Sequence, residues 1–395
     1  MKLRKAFKFR LDVNAEQQAR LRVLCGHARF VWNQALARCN EAYATEGEYV
    51  PRYESMSKWI TAWKREEDKA FLTEAYTDNL QQKLKDLDSA WRRYFDPKLK
   101  ADRPCFKKKG RSRDSVRFVN FNKYCQLNGR RVKLPAGIGW CKFRKSRDIT
   151  GLIKNCTLSF SQGHWWISYQ AEQDITPPAH PAPDHWVGID VGIAQLATLS
   201  DGSSIAAINS FRQHEQALAR AQRQLSRKVR FSSNWHKAKA RVQRLQGRIA
   251  NVRQDYLHKT STTLCQNHAM LVIEDLQVKN MSASAKGSVE SPGKHVRAKS
   301  GLNTSILDQG WGEFRRQLEY KSLWMGGEVL AVPAHHTSQT CPECGKVSPL
   351  NRLTQSAFVC IDCGYENNAD VVGGLNILAR GIEIRERAGR RPDRL

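Results

Sequence analysis

The chain has 395 residues, 41% of them hydrophobic, which is enough for two or three domains and a sizeable core. Its 65 Lys and Arg outnumber 38 Asp and Glu, and the net charge of +27 predicts a polyanionic partner. No apolar run approaches the roughly 20 residues of a spanning helix, and the amino terminus lacks a signal peptide's apolar block. We therefore expect a soluble intracellular protein with no membrane partner and no small-molecule substrate.

Residues 2–11 alternate basic and apolar side chains, which predicts a strand, and Asn14 is a candidate N-cap for a helix reaching Tyr43. Helical spacing recurs from Ser57 to Ala70 and from Asn79 to Phe95. The apolar stripe of the last segment is interpreted as a core-facing surface.

From Pro104 onward, short runs rich in Val, Phe, Trp and Tyr are divided by Gly and Pro. This texture predicts an antiparallel β unit. Residues 175–185 contain too many prolines for a helix or a central strand, so they are expected to form an extended linker. The main domain boundary is predicted near Asp184.

After the linker, WVGIDVGIAQLATLSDGSSIAA is expected to form an apolar strand, a turn at Asp201 and Gly202, and a second strand. Residues 211–266 have helical spacing and dense positive charge, and they break at FSSN. Two basic helices are predicted. An ordinary solvated face would carry both positive and negative side chains. Phosphate contact is therefore the favoured interpretation, and a solvated face is the alternative.

MLVIEDL, residues 270–276, is typical of a buried strand that ends in acids. Residues 279–304 are polar and are predicted to form a mobile loop. A helix from about Trp311 to Met325, the strand EVLAVP and a cysteine-rich segment complete the chain.

Two CxxCG motifs make up the cysteine-rich segment. Cys341, Cys344, Cys360 and Cys363 form C-x2-C-x15-C-x2-C, with a glycine after each pair. Two such knuckles supply the four thiolates of a tetrahedral, structural zinc (Zn²⁺) site. A thioredoxin-like redox motif is the alternative, but it expects one CxxC near a βαβ unit. The other seven cysteines are scattered without a disulfide framework, which favours a reducing compartment.

Three acids are candidate ligands of a different kind of ion. Asp190 interrupts an apolar strand and Glu274 ends another, where a charge is costly unless it is paired or bound to metal. Each alone is compatible with an ordinary strand end. Asp370 opens a helix-like segment after the knuckle, so three carboxylates are predicted at one sheet edge, a set that suits Mg²⁺ or Mn²⁺. Asp275 would point to the opposite side, so Glu274 is the favoured ligand.

Several segments occur in the order typical of the TnpB family, the transposon-encoded RNA-guided nucleases related to type V CRISPR effectors. They are VGIDVGIAQLATLSDG, LVIEDL, SQTCPECG, CIDCG and NADVVGGLNI. GHARFVWNQAL, RQDYLHKTST and WGEFRRQLEYK also resemble family segments. The resemblance covers nearly the whole chain.

This resemblance implies an α+β multidomain fold. An amino-terminal β-barrel-like unit with a helical insertion would precede an RNase H-like (RuvC) α/β domain with an inserted four-cysteine zinc ribbon. The implied parts are a β-rich, wedge-like nucleic-acid-binding domain at 1–13 and 101–175, a helical recognition domain at 14–100, a linker at 176–184, a RuvC-like nuclease domain at 185–335 and 365–382, a zinc-ribbon or target-strand-loading insertion at 336–364, and a basic tail at 383–395.

The implied function is RNA-guided cleavage of double-stranded DNA in a prokaryotic cytosol or nucleoid, next to a short transposon-adjacent motif. Guide (omega) RNA and target DNA would be the partners, and Asp190, Glu274 and Asp370 would hold two Mg²⁺ ions for phosphodiester hydrolysis. Gln81 and Asn120 resemble family residues that contact the adjacent motif, although ordinary surface amides are the alternative. Candidate phosphate contacts are Lys107, Lys108, Arg223, Arg227, Lys237 and Arg241.

Two other functions are compatible with parts of the sequence. A non-cleaving RNA-guided repressor should have lost one or more of the three acids, and all three are present. A transposase or resolvase could use the same acids, but it leaves the region before residue 176 unexplained.

The chain departs from the family pattern at two positions. Ala369 stands where the family often has Arg, and Val372 where it often has Asn. We expect these changes to affect rate or strand handling more than metal binding.

Overall fold

The structure is a computed structural model that describes residues 2–45, 50–99, 101–176, 178–352 and 354–389. It divides into two units, Met1–Ile175 and Thr176–Leu395. The division falls before the proline-rich stretch, which therefore belongs to the second unit. There the His180 ring contacts the carbonyl oxygen of Cys265 at 2.9 Å and accepts a hydrogen bond from the Ala182 amide.

The first unit begins with strand β1 and a group of helices. Its elements are β1 (Lys2–Asp12), α1 (Ala15–Thr45), α2 (Tyr53–Trp63), a 3-10 helix (Glu67–Glu74) and α3 (Thr77–Phe95). Asn14 caps α1 as predicted, because its Oδ1 accepts from the Gln17 amide at 2.8 Å while Gln17 Oε1 accepts from the Asn14 amide. The helix predicted at 57–70 is wrong in its bounds, since extended backbone at Glu66 separates α2 from the 3-10 helix.

An antiparallel sheet completes the first unit. Its other strands are β2 (Ser115–Val119), β3 (Gln126–Asn128), β4 (Arg131–Leu134), β5 (Gly139–Phe143), β6 (Leu152–Ser161) and β7 (His164–Asp174), with the short helix α4 (Phe121–Tyr124) after β2. The order is β2-β6-β7-β1-β5-β4-β3, so within the described residues hydrogen bonding leaves β2 and β3 as open edges. Alternate residues of β1 pack into the core, as their periodicity predicts.

The second unit is built around a five-stranded sheet. Its strands are β8 (Trp186–Val191), β9 (Gln195–Leu199), β10 (Ser204–Ala206), β11 (Met270–Glu274) and β12 (Glu328–Val332), in the order β10-β9-β8-β11-β12. β8, β11 and β12 are parallel, whereas β9 runs antiparallel to β8 and to β10. The carboxyl ends of β8 and β11 therefore lie side by side.

Helices pack around this sheet. They are α5 (Ser210–Ser226), α6 (Ser233–Asn267), α7 (Val278–Met281), α8 (Val296–Gln309), α9 (Trp311–Trp324) and α10 (Ala369–Gly389). The two basic helices and the break between them agree with the prediction. The loop predicted at 279–304 is wrong at both ends, because α7 covers residues 279–281 and α8 begins at Val296. The α8 helix buries Ile306 and Asp308.

Between β12 and α10 lies the cysteine segment, with a 3-10 turn (Pro349–Asn351) and the paired strands β13 (Ala357–Val359) and β14 (Glu366–Asn368). Of the basic tail predicted at 383–395, residues 383–389 continue α10 and residues 390–395 lie outside the described residues. None of the described helices is both long and apolar enough to cross a membrane.

Candidate functional site

Two of the predicted acids are neighbours at the sheet edge. In the parallel pair of β8 and β11, Ile189 is in register with Ile273, so the next residues along the two strands are Asp190 and Glu274. Side chains at equivalent positions of paired strands share a face of the sheet. The sheet register therefore brings these two carboxylates together although they are far apart in sequence.

The third acid arrives on α10. Asp370 lies in the first turn of this helix, and Asn368 Oδ1 accepts a hydrogen bond from its amide at 2.9 Å, which caps the helix start. The helix crosses β8 at close range, because a Cβ at Gly373 would lie 2.8 Å from Asp190 Oδ2 and one at Gly188 would lie 2.0 Å from the Gly374 carbonyl oxygen. Glycine at these positions lets the helix bring Asp370 to the sheet edge.

The electrostatics of the edge reflect this convergence. Burial, followed by the negative charges of Glu274 and Asp370, raises the pKa of Asp190 to about 7, and the Arg352 guanidinium partly opposes the rise. Burial also raises the pKa of Glu274. A buried carboxylate beside two other acids forms a site that a cation would stabilise.

Two residues of this site were missed by sequence reasoning. The Arg352 Nη2 lies 3.6 Å from Asp370 Oδ1, and the Thr337 hydroxyl donates to Glu274 Oε1 at 2.7 Å. Arg352 sits between the two CxxC pairs, which is the one signal that could have marked it among 65 cations. Thr337 carries no such signal.

The loop that carries Thr337 is tied to α10. Asn376 Nδ2 donates to the carbonyl oxygens of Thr337 and Thr340 at 2.7 Å each, and Arg380 donates to the carbonyl of Pro333. Asp275, beside Glu274, is turned to a different partner, because the Arg315 guanidinium lies 2.5 Å from its carboxylate. The surroundings of Glu274 and Asp275 thus differ as expected.

The four knuckle cysteines come together in a second cluster. Their sulfur atoms all lie within 4.8 Å of one another, with Cys341 and Cys363 at 3.6 Å and Cys344 and Cys360 at 3.5 Å. Sulfurs of a tetrahedral zinc site, with Zn–S bonds of 2.3 Å, lie about 3.8 Å apart. Gly345 and Gly364 both have positive φ, which lets their amides bond back to the first cysteine of each pair. The arrangement can hold one metal ion.

The knuckle packs directly on the start of α10. Cys341, Phe358 and Cys360 share a buried cluster with Ala369 and Val372, and both of these helix residues are fully buried. Ala369 and Val372 are the two positions that differ from the family pattern. Their side chains face the knuckle, so packing connects the cysteine cluster to the helix turn that carries Asp370.

The two clusters differ in how tightly they are gathered. Among the described residues, the three carboxylates do not meet the 4.8 Å spacing that the cysteines satisfy. Carboxylate oxygens are hard donors that suit divalent cations such as Mg²⁺, and the cysteine cluster suits a single soft ion.

A basic cleft lies between α5 and α6. It has a volume of about 760 Å³, and its lining includes Arg220, Arg241, Arg244 and Arg248. Arg241 is the only predicted contact residue among the described lining residues; Arg223, Arg227 and Lys237 are exposed elsewhere on the hairpin. The pattern of charge predicted the two basic helices but not the side of the hairpin where the guanidinium groups converge.

The predicted contact residues of the first unit have varied surroundings. The Lys107 ammonium lies 3.3 Å from the centroid of the Trp32 ring, and burial, with the charge of Lys83, lowers the pKa of Lys107 to about 8. Lys108 and Asn120 are exposed, and Gln81 on α3 is half-buried. These positions leave Lys108 and Asn120 accessible to a partner.

Comparison with known proteins gives three family matches. A family described as "Probable transposase" (OrfB_IS605) matches residues 167–285, and the "Cas12f1-like, TNB domain" matches residues 311–377. A "Helix-turn-helix domain" of the same OrfB_IS605 group matches residues 1–48. In the structure, the described part of this last stretch is strand β1 followed by the single helix α1.

Among solved structures, the fold resembles the protein in "Cryo-EM structure of the Cas12f1-sgRNA-target DNA complex". The TM-score is 0.55 at 13% identity, and the alignment covers 95% of this chain and 98% of that one. At this identity the likeness concerns the fold alone.

Two curated relatives align over almost the whole chain. "Putative RNA-guided DNA endonuclease InsQ" of Escherichia coli (strain K12) is 51% identical over 384 residues, which cover 97% of this chain and 94% of the relative. "Putative RNA-guided DNA endonuclease" of Streptomyces pristinaespiralis is 34% identical over 96% of this chain and 90% of the relative. On this identity and coverage, together with the transposase-family match, the chain belongs to the TnpB family.

Proposed function

We propose that the protein is an RNA-guided endonuclease that cleaves double-stranded DNA beside a short transposon-adjacent motif. The observation that carries this proposal is the convergence of Asp190, Glu274 and Asp370 at one edge of the sheet, in a chain 51% identical to a relative named as an RNA-guided DNA endonuclease. Base pairing with the guide would supply sequence specificity, and the protein would hold the heteroduplex by its backbone.

The carboxylate edge fits a pair of Mg²⁺ or Mn²⁺ ions. Its donors are hard oxygens, and bound cations would offset the burial and the negative charges of Glu274 and Asp370 that raise the pKa of Asp190. When bound, the ions supply an activated water and stabilisation of the leaving oxygen. Asp190, Glu274 and Asp370 would hold them, Thr337 would orient Glu274, and Arg352 would orient Asp370.

For the cysteine cluster, zinc is the proposed ion and structure its role. Four thiols at tetrahedral spacing leave no ligand position open for chemistry. Its packing on Ala369 and Val372 means that the ion would hold the start of α10, and hence Asp370, in place.

The remaining functional assignments follow from the charge of the chain. Guide RNA and target DNA are the proposed polyanionic partners of a protein with net charge +27, and Gln81 and Asn120 are proposed contacts to the adjacent motif. We also propose the wedge-like, recognition, nuclease and target-strand-loading roles for the segments to which the family resemblance assigns them.

A non-cleaving repressor is disfavoured because all three acids remain and share one edge. The deciding experiment is programmed cleavage of a plasmid in Mg²⁺ by protein purified with its RNA, with that RNA sequenced. Guide-dependent cutting is expected for the native protein and for Asp275→Asn, a matched control whose carboxylate pairs with Arg315. Guided binding without cutting by the native protein would establish the repressor instead.

A further inference from the structure

The turn that joins α5 to α6 presents aromatic surface to solvent. Phe231 is 73% exposed, and its ring centroid lies 5.4 Å from that of half-buried Trp235. The neighbouring Val229 is 79% exposed, and the Lys239 ammonium lies 4.9 Å from the centroid of the Trp235 ring. We call Phe231 and Trp235 the hairpin tip. It is an open aromatic pair with a cation beside it.

The backbone at this position is strained. Phe231 has φ of +67°, a left-handed conformation that glycine adopts freely and a phenylalanine does not. The ring gains little burial in return, because most of it stays in water. A turn alone would be served better by glycine, so the placement of this ring indicates contact with something outside the chain.

The charge around the tip identifies the kind of partner. Residues 212–253 contain twelve Lys and Arg and a single acid, Glu215. The cleft arginines on the same hairpin, Arg220, Arg244 and Arg248, have no ion pair within the described part of the chain. This field repels a second copy of the hairpin and attracts a polyanion, so the exposed rings do not suit a dimer contact.

The tip lies at the far end of α5 from the start of that helix. α5 has 17 residues and is anchored at its start, where the Ser210 hydroxyl donates to Asp308 at 2.7 Å. At 1.5 Å per residue, the tip lies about 25 Å along the helix from that anchor. Its aromatic rings and adjacent cation are suited to holding a bound nucleic acid.

We propose that the hairpin tip is a base-stacking site for an unpaired stretch of the guide RNA, with the sugar-phosphate chain running along the cleft arginines. The proposal rests on the proposed function. Every base has a π face, so an exposed aromatic pair flanked by cations binds unpaired nucleotides with little sequence preference. Guide RNA is favoured over DNA because a folded RNA offers loops of open bases before any target binds, whereas DNA bases become unpaired only in the strand that the guide displaces.

The first test is the equilibrium dissociation constant for the RNA that purifies with the native protein. Phe231→Ala and Trp235→Ala should each weaken binding about tenfold, because each removes one stacking face. Phe231→Tyr and Trp235→Phe should bind as the native protein does. Phe231→Leu separates stacking from apolar contact: it should bind as weakly as Phe231→Ala, and native affinity in this variant would overturn the proposal.

Val229→Ala is the matched control, since it removes exposed apolar surface at the same turn without removing a ring, and it should leave RNA affinity unchanged. Melting temperature is measured for every variant, and Phe231, being exposed, can be changed without loss of the fold.

The second test locates the contact. Chemical probing of the RNA in the complex should show protection of unpaired nucleotides that disappears in Phe231→Ala, whether or not target DNA is present. If Phe231→Ala instead loses only cross-links to a DNA strand, the assignment to RNA is wrong. If the native protein binds no RNA at all, the proposed function itself fails, an outcome distinct from native RNA binding that the ring variants leave unchanged.

Discussion

The two metal-type clusters of the second unit are built in opposite ways. The four cysteines come from one segment of 23 residues, 341–363, and their sulfurs already lie within 4.8 Å of one another. The three acids come from β8, β11 and α10, and burial, followed by the negative charges of Glu274 and Asp370, raises the pKa of Asp190 to about 7. The geometry of the cysteine cluster is determined by the turns of its own two knuckles. The geometry of the carboxylate cluster depends on the whole sheet and on the glycines that allow α10 to pack close to β8.

The largest effect on cleavage should come from changes to the three acids, which lie far apart in sequence. Asp190→Ala removes the carboxylate that adjoins both other acids, so cleavage should fall by about three orders of magnitude or more while guided DNA binding persists. Plasmid cleavage in Mg²⁺ run beside a gel shift with the same guide RNA measures both. A normal rate, or loss of guided binding together with cutting, would show that Asp190 is not a catalytic metal ligand. Glu274→Ala and Asp370→Ala should behave alike.

Replacing Cys341 and Cys344 with Ser should abolish stoichiometric zinc and lower cleavage about 10- to 100-fold, because the start of α10 loses its rigid support. Metal analysis and the cleavage rate are the measurements. Ser replacement of Cys39, a buried cysteine of the first unit, controls for loss of a thiol and should retain zinc. Full activity in the zinc-free protein would show that the two clusters are independent.

Arg352 tests a polar connection between the cysteine cluster and the three acids. It belongs to the cysteine segment, and its Nη2 lies 3.6 Å from Asp370 Oδ1. Arg352→Ala should slow cleavage about tenfold with zinc content and guided binding unchanged, and Arg352→Lys should recover part of the rate. Arg316→Ala is the control, since that exposed guanidinium pairs with Glu313 instead. Equal effects of Arg352→Ala and Arg316→Ala would argue against a specific role.

The smallest effect should come from packing alone. Val372→Ala leaves a cavity between the knuckle and α10, and it should destabilise the fold by about 2 kcal/mol with only a modest loss of rate. Thermal unfolding of the zinc-loaded protein checks it. An unchanged melting temperature would mean that packing of the knuckle on the Val372 side chain does not stabilise the fold.

The first unit shows which elements can be predicted from the hydrophobic periodicity of the sequence. The alternation in β1 and the Asn14 cap follow from local backbone geometry, and both were predicted. The bounds of α2 and the presence of α8 were not predicted. The polar stretch before α8 contains few apolar residues, and the helix is stabilised by burying Ile306 and Asp308 against other elements.

By itself, the sequence determined the parts whose chemistry is local: the cysteine spacing, the acids that end apolar strands, and the charge of the hairpin. The tertiary structure alone decided that Arg352 adjoins Asp370, that Thr337 donates to Glu274, and that Ala369 and Val372 pack under the knuckle. It also decided that the aromatic tip stays in water. These relations join residues across helix and strand pairings, and side-chain type carries no record of which distant surface a residue will meet.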